Sequence, residues 1–293
     1  MAATVGEARR FEVERDGQAL VGEALDAPEL DPAAPSVVLL HAITASRRYV
    51  VHGSKVLPRK GFASVCYDAR GHGESGPAQE GSGYGYEDLV ADLGAVIDEV
   101  VGERRPVIAG SSMGAHTAVA FALRAPERIA GLVAIGPAFN GLPAPDEVLR
   151  EWDELADGLE SDGVDGFLRA YESHGLDPEW RDTLIRITRE RLVTHRHPEA
   201  VAEAMREVPR DRPFEDMSEL EFLDVPALVV ASNDEADPGH PYAVAQTYAE
   251  RLPQARLVSE ETGQSPLSWQ GGRLSREIAA FCATDAVAER AVS

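Results

Sequence analysis

Gly110-Ser111-Ser112-Met113-Gly114 sets a serine between two glycines in the pattern G-x-S-x-G. Its flanks give the pattern chemical meaning: the apolar run 106–109 reads as a strand, and 115–124 reads as a helix. A sharp strand-to-helix turn would project the Ser112 hydroxyl from the carboxyl edge of a sheet, with glycines where a Cβ would clash. The N–H of Met113, at the helix start, would face an oxyanion forming on a carbonyl attacked by Ser112. His41-Ala42 directly follows the apolar run 36–40. The Ala42 N–H is the candidate second oxyanion donor, with the His41 side chain beside the pocket. The chemistry indicated is nucleophilic attack on an acyl carbon.

Elements able to hold these groups follow from periodicity. Runs rich in Val, Ile and Leu at 11–15, 20–25, 36–41, 62–68, 106–111, 129–135, 226–232 and 256–259 read as strands. Helical patterns at 86–101, 113–124, 242–251 and 273–283 alternate with them, which argues for βα units and a mostly parallel sheet. Asp16-Gly17 marks an antiparallel start. Residues 142–219 break the alternation: helical patterns at 147–159, 164–173, 180–195 and 198–207 occur with no convincing strand. A helical cap of residues 142–219 over a core of residues 1–141 and 220–293 is the expected organisation. Trp152, Phe167, Tyr171 and Trp180 recur in that stretch and divide between packing on the sheet and lining an apolar pocket. Residues 284–293 and the first few are expected to fray.

Asp68-Ala69-Arg70-Gly71-His72-Gly73-Glu74-Ser75 follows the strand at 62–68 and suits a compact turn pinned by an ion pair. Together with His41-Ala42, Gly110–Gly114 and the strand pattern, it resembles the α/β-hydrolase superfamily over roughly residues 11–142 and 226–283. The resemblance implies an α/β-hydrolase fold, a variable cap where the helical insert stands, and a nucleophile, an acid and a histidine in that chain order. Asp237-Pro238-Gly239-His240-Pro241 resembles the family's acidic loop, which makes Asp237 the first choice for the acid and Asp234 the runner-up.

The base departs from the family. Where the superfamily carries Gly-His, this chain reads Gly263-Gln264-Ser265-Pro266, and no histidine follows His240. A glutamine cannot take a proton near neutral pH. His240, on the acidic loop at the same rim, is the preferred replacement; His41, His72 and His116 are the other candidates. Gln264 would then border the pocket, and Trp269 would line its floor or anchor the final helix.

With 28 Lys+Arg against 50 Asp+Glu, the net charge of -22 disfavours nucleic acid and anionic membrane partners. The apolar runs fall far short of the roughly 20 residues of a membrane helix, and residues 1–17 lack an apolar signal region. A cytoplasmic enzyme with a small-molecule substrate, no cofactor and no metal is expected, and a homodimer is open to it. His195/His197 has no third ligand in view. Cys66 and Cys282 read as thiols without a motif. The leading function is hydrolysis of a small carboxylic ester, lactone or related acyl substrate. The alternatives are a catalytically impaired binding protein on the same scaffold, favoured by Gln264, and a lyase or cyclase using the same pocket.

Overall fold

Val37–Leu40, Gly131–Ile135 and Ala227–Ala231 bury every residue, as strands covered on both faces must. They form the centre of an eight-stranded sheet in the computed structural model, which describes residues 5–28, 33–233, 239–260, 269 and 271–292. The strands are β1 (Arg9–Arg15), β2 (Gln18–Leu25), β3 (Val37–Leu40), β4 (Ser64–Tyr67), β5 (Val107–Ser111), β6 (Gly131–Ile135), β7 (Ala227–Ala231) and β8 (Ala255–Ser259). Their spatial order is β1-β2-β4-β3-β5-β6-β7-β8. β1 and β2 form a hairpin through Asp16 (φ 51°) and Gly17 (φ 78°), and β2 pairs antiparallel with β4. All later pairings are parallel. This is the α/β-hydrolase architecture that the sequence implied.

The helices are α1 (Val56–Arg59), α2 (Tyr86–Val96), α3 (Met113–Arg124), α4 (Asp146–Ser173), α5 (Arg181–Leu192), α6 (Pro198–Glu207), α7 (Tyr242–Arg251), α8 (Gly271–Cys282) and α9 (Asp285–Val292). One apolar layer lies between the sheet and α2, α3 and α7, with Leu93, Ile108, Val119 and Tyr248 at its centre. The opposite face is covered by α8, through Leu274, Ile278 and Phe281. The chain end corrects an expectation: residues 285–292 do not fray but form α9, which buries Val287 against that same layer.

Between β6 and β7 stand α4, α5 and α6 and two short 3-10 turns, with no strand. α4 bends sharply at Asp162 (φ -145°, ψ 23°) and Gly163 (φ 60°, ψ -147°), so its halves match the two helical patterns read from the sequence. Leu155, Leu159, Phe167, Val201 and Met205 of this insert share an apolar cluster with Ile43 and Ala69 from loops after strands and with Tyr86 and Met113 at the starts of α2 and α3. Trp152 and Tyr171 pack on the same cluster, so three of the four insert aromatics serve packing, and Trp180 precedes α5, half-buried.

The Asp68–Ser75 turn is held by buried charge. Asp68 accepts from the Arg47 N–H at 2.7 Å and the Glu74 N–H at 2.9 Å, and pairs with the Arg47 guanidinium. Arg70 makes a bidentate pair with Asp92, both contacts at 2.7 Å. A Cβ on Gly73 would stand 2.1 Å from an Asp68 carboxylate oxygen, so only glycine admits this wrapping. The turn is structural, as its composition suggested.

Candidate active site

The first chemical group is set by the end of β5. Ser112 has φ 51° and ψ -114°, a left-handed conformation that a side-chain-bearing residue adopts at a cost of about 1–3 kcal/mol. Two contacts impose it. A Cβ on Gly110 would lie 2.0 Å from the Gly114 carbonyl oxygen, and one on Gly114 would lie 2.4 Å from the Leu40 carbonyl oxygen. The turn thus folds tightly enough for α3 to start against β3, and both glycines are sterically required. The Ser112 N–H donates to the Ile135 carbonyl at 2.9 Å, anchoring the strained residue to β6, and Ser112 itself is half-buried.

Met113 is the first residue of α3, so its N–H has no partner within the helix. Among the described residues, the Ala42 N–H has no hydrogen-bond acceptor, whereas its carbonyl accepts from the Ala45 N–H at 2.9 Å. These are the two amides assigned from sequence as oxyanion donors. A cavity of about 10 Å³ bordered by His41, Met113 and Gly114 is too small for more than a water.

The histidines separate by what their rings already bind. His41 accepts the Ala69 N–H at Nε2 (2.9 Å) and so carries its proton on Nδ1, which donates to the Ala42 carbonyl at 2.8 Å. His116 accepts the Ala138 and Phe139 N–H groups at Nε2 (2.9 and 3.0 Å) and donates from Nδ1 to the Tyr86 hydroxyl at 2.9 Å. Both nitrogens of His72 face carbonyls, those of Arg70 and Ile43. None of the three offers a ring nitrogen to Ser112, which removes them as replacement bases. His41 is a buried brace that borders the small cavity.

His240 occupies a different position. It is half-buried two residues before α7, and its ring lies over Gly136, where an added Cβ would come within 3.4 Å of the imidazole Cγ. Gly136 adjoins Ile135, the residue whose carbonyl holds the Ser112 N–H. The sheet edge that fixes the nucleophile therefore also seats this imidazole. Asp234, Asp237 and Gln264 lie outside the described residues.

One residue of this rim went unnoticed in the sequence. Glu260, buried at the end of β8, accepts from the Ser232 hydroxyl and the Asn233 N–H, both at 2.6 Å, and from the Trp269 indole at 2.9 Å. The indole N–H also faces the Ala231 carbonyl at 2.7 Å. Trp269 is thus an anchor joining the ends of β7 and β8 to the residues before α8. Only the position of Glu260 immediately after a strand could have flagged it.

Burial pulls His41, His116 and His195 from the ordinary 6.5 to about 3, with neighbouring imidazoles adding to the shift: His72 beside His41 and His195, His240 beside His116. His72 is lowered too, by burial acting against its two carbonyls. Between pH 6.5 and 3 the unfolded chain therefore binds more protons than the fold, and stability falls as pH falls. All three act in the same direction in that window. Urea midpoints should hold steady above pH 7 and decline from pH 6.5 downward, before the carboxylates begin to protonate; a flat profile from pH 7 to 5 would contradict the assignment.

Comparison with known proteins agrees with this architecture. Residues 35–227 match the family model described as alpha/beta hydrolase fold. Over 143 residues the chain is 30% identical to a Bacillus subtilis (strain 168) protein provisionally named 2-succinyl-6-hydroxy-2,4-cyclohexadiene-1-carboxylate synthase, covering 48% of this chain and 51% of that protein. Over 111 residues it is 34% identical to epoxide hydrolase B of Mycobacterium tuberculosis (strain ATCC 25618 / H37Rv), covering 38% and 31% respectively. The matches thus span about half and about a third of these two relatives. In structure, the chain is similar to the enol-lactonase from Burkholderia xenovorans LB400, with a TM-score of 0.70 and 21% identity over 94% of this chain and 100% of that one.

Proposed function

Because the chain belongs to the α/β-hydrolase fold family, we propose that it is a serine hydrolase of small carboxylic esters or lactones, with Ser112 as its nucleophile. The observation carrying this reading is the strained Ser112 turn between two amides with room to donate. Ser112 Oγ attacks the acyl carbon while its proton passes to His240, and the Ala42 and Met113 N–H groups receive the oxyanion. Collapse expels the alcohol, which takes the proton from His240, and leaves an acyl-serine. Water then attacks that ester, again losing a proton to His240, which returns it to Ser112 Oγ as the acyl–oxygen bond breaks, so that carboxylic acid and serine are regenerated. Asp237, from its place in the sequence, orients the imidazolium.

An aspartate nucleophile, as an epoxide-opening reaction would require, has no counterpart at the turn, which presents Ser112. The insert at residues 142–219 acts as the cap that limits substrate size, and its apolar cluster with Ile43 and Met113 supports this role. Gln264 supports a second reading, a ligand-binding protein without turnover. The deciding experiment measures hydrolysis of p-nitrophenyl acyl esters and aliphatic lactones by the wild type and Ser112→Ala. Saturable turnover above the Ser112→Ala background is expected. No turnover across the panel transfers the assignment to the binding protein.

A further inference from the structure

Three consecutive peptide carbonyls follow β3, and each is met by a different histidine. His41 Nδ1 lies 2.8 Å from the Ala42 carbonyl, His72 Nε2 lies 2.7 Å from that of Ile43, and His195 Nε2 lies 3.3 Å from that of Thr44. The rings form a column, with centroids 5.1 Å apart for His41–His72 and 5.5 Å for His72–His195. His41 and His72 come from the loops over the sheet, but His195 comes from the insert, just after α5.

We propose that His195 is a positioning residue for the oxyanion-binding loop 41–45, so that the helical insert and the Ala42 amide are held as one unit; this rests on the serine-hydrolase reading above. The chemistry of the ring fixes its role. His195 Nδ1 accepts the Gly73 N–H at 2.8 Å, which places the ring proton on Nε2, where it donates to the Thr44 carbonyl. The imidazole therefore ties the Asp68–Ser75 turn to the oxyanion loop while its own backbone belongs to the insert.

The same short segment is tied down on both sides. The Arg196 N–H donates to the Gly73 carbonyl at 2.9 Å, and its guanidinium pairs with Glu74. The Thr194 and Ser46 hydroxyls stand 3.2 Å apart, and the Tyr49 hydroxyl donates to the Glu190 carbonyl at 2.8 Å. These contacts all converge on loop segments 44–49 and 73–74. A shift of the insert is thereby passed to the peptide planes that aim the Ala42 N–H. Such an amide stabilises charge only where it is held in place, so its support bears on the chemical step more than on substrate affinity.

The test combines hydrogen exchange of peptides covering residues 41–49 with kcat and KM on a p-nitrophenyl ester. In His195→Leu, which fills the volume without hydrogen bonds, exchange at the Ala45 amide, which is bonded to the Ala42 carbonyl, should rise about tenfold or more. Its kcat should fall roughly 10- to 100-fold, with KM changed far less. His195→Gln retains one acceptor and one donor and should recover most of both. Unchanged exchange and unchanged kcat in folded His195→Leu would overturn the proposal. If His195→Leu does not fold, ring ¹⁵N spectra of the wild type decide: an Nδ1–H tautomer at His195 would overturn it. Raised exchange in His195→Leu beside a wild type that turns over no ester would keep the positioning role and refute the hydrolase reading.

Discussion

Ser112→Gly should yield a protein that no longer turns over ester yet resists urea better than the wild type. The nucleophile sits at φ 51°, ψ -114°, the mirror image of an extended conformation, which glycine adopts without a Cβ clash. Relief of that strain should raise stability by roughly 1 kcal/mol after glycine's added chain entropy is counted. Ser112→Ala keeps the strain and should show no such gain. Both variants should lose about 10⁴-fold or more in kcat/KM, as removal of a catalytic nucleophile does. The opposed signs of the two effects separate a serine held for chemistry from one that merely caps α3. If Ser112→Gly were no more stable than Ser112→Ala, the turn would not be the site of strain described.

His240→Ala should reduce kcat/KM about 10³- to 10⁴-fold while leaving the urea midpoint close to that of the wild type, since the ring is half-buried and packs over a glycine. The other ring candidates cannot compensate, because His41, His72 and His116 each commit both nitrogens to neighbouring groups of the fold. Gln264→His introduced into the His240→Ala background places an imidazole at the family's usual position in the chain and should restore at least tenfold of the lost rate. Steady-state kinetics on the same ester reads both. Full activity in His240→Ala would remove this residue as the base.

The parts of the fold legible in the sequence are those where one short segment carries its own signal. Val37–Leu40 and Ala227–Ala231 are buried on both faces, so unbroken apolar runs reported them without reference to any partner. The Ser112 turn was legible because two glycines and a strand-to-helix change fall within five residues. The bend in α4 was legible as a break between two helical patterns, with Gly163 at the joint. What stayed hidden depends on distance along the chain. Glu260 meets Ser232 and Asn233 from the neighbouring strand end, and His195 meets Gly73 and Thr44 more than a hundred residues away. No local period marks such pairs. α9 was missed for a different reason: a short, charged segment with one buried residue, Val287, carries too little apolar pattern to distinguish a docked helix from a frayed end.

The same distinction explains the histidines. From sequence, His240 was preferred for its place on the acidic loop, and His41, His72 and His116 were further candidates near a strand end or the Ser112 turn. Backbone amides and carbonyls occupy ring nitrogens of His41, His72 and His116, and this occupancy converts those three candidate bases into braces for the surrounding loops. The chain has thus placed several buried, neutral imidazoles around one strained serine without making most of them proton acceptors.

Reaction with a fluorophosphonate, followed by mass-spectrometric mapping of the adduct, tests whether Ser112 is an activated nucleophile. One phosphonyl group per chain, on Ser112, should form rapidly in the wild type and far more slowly in His240→Ala. Absence of an adduct, under conditions that fully label a control serine hydrolase, would contradict it.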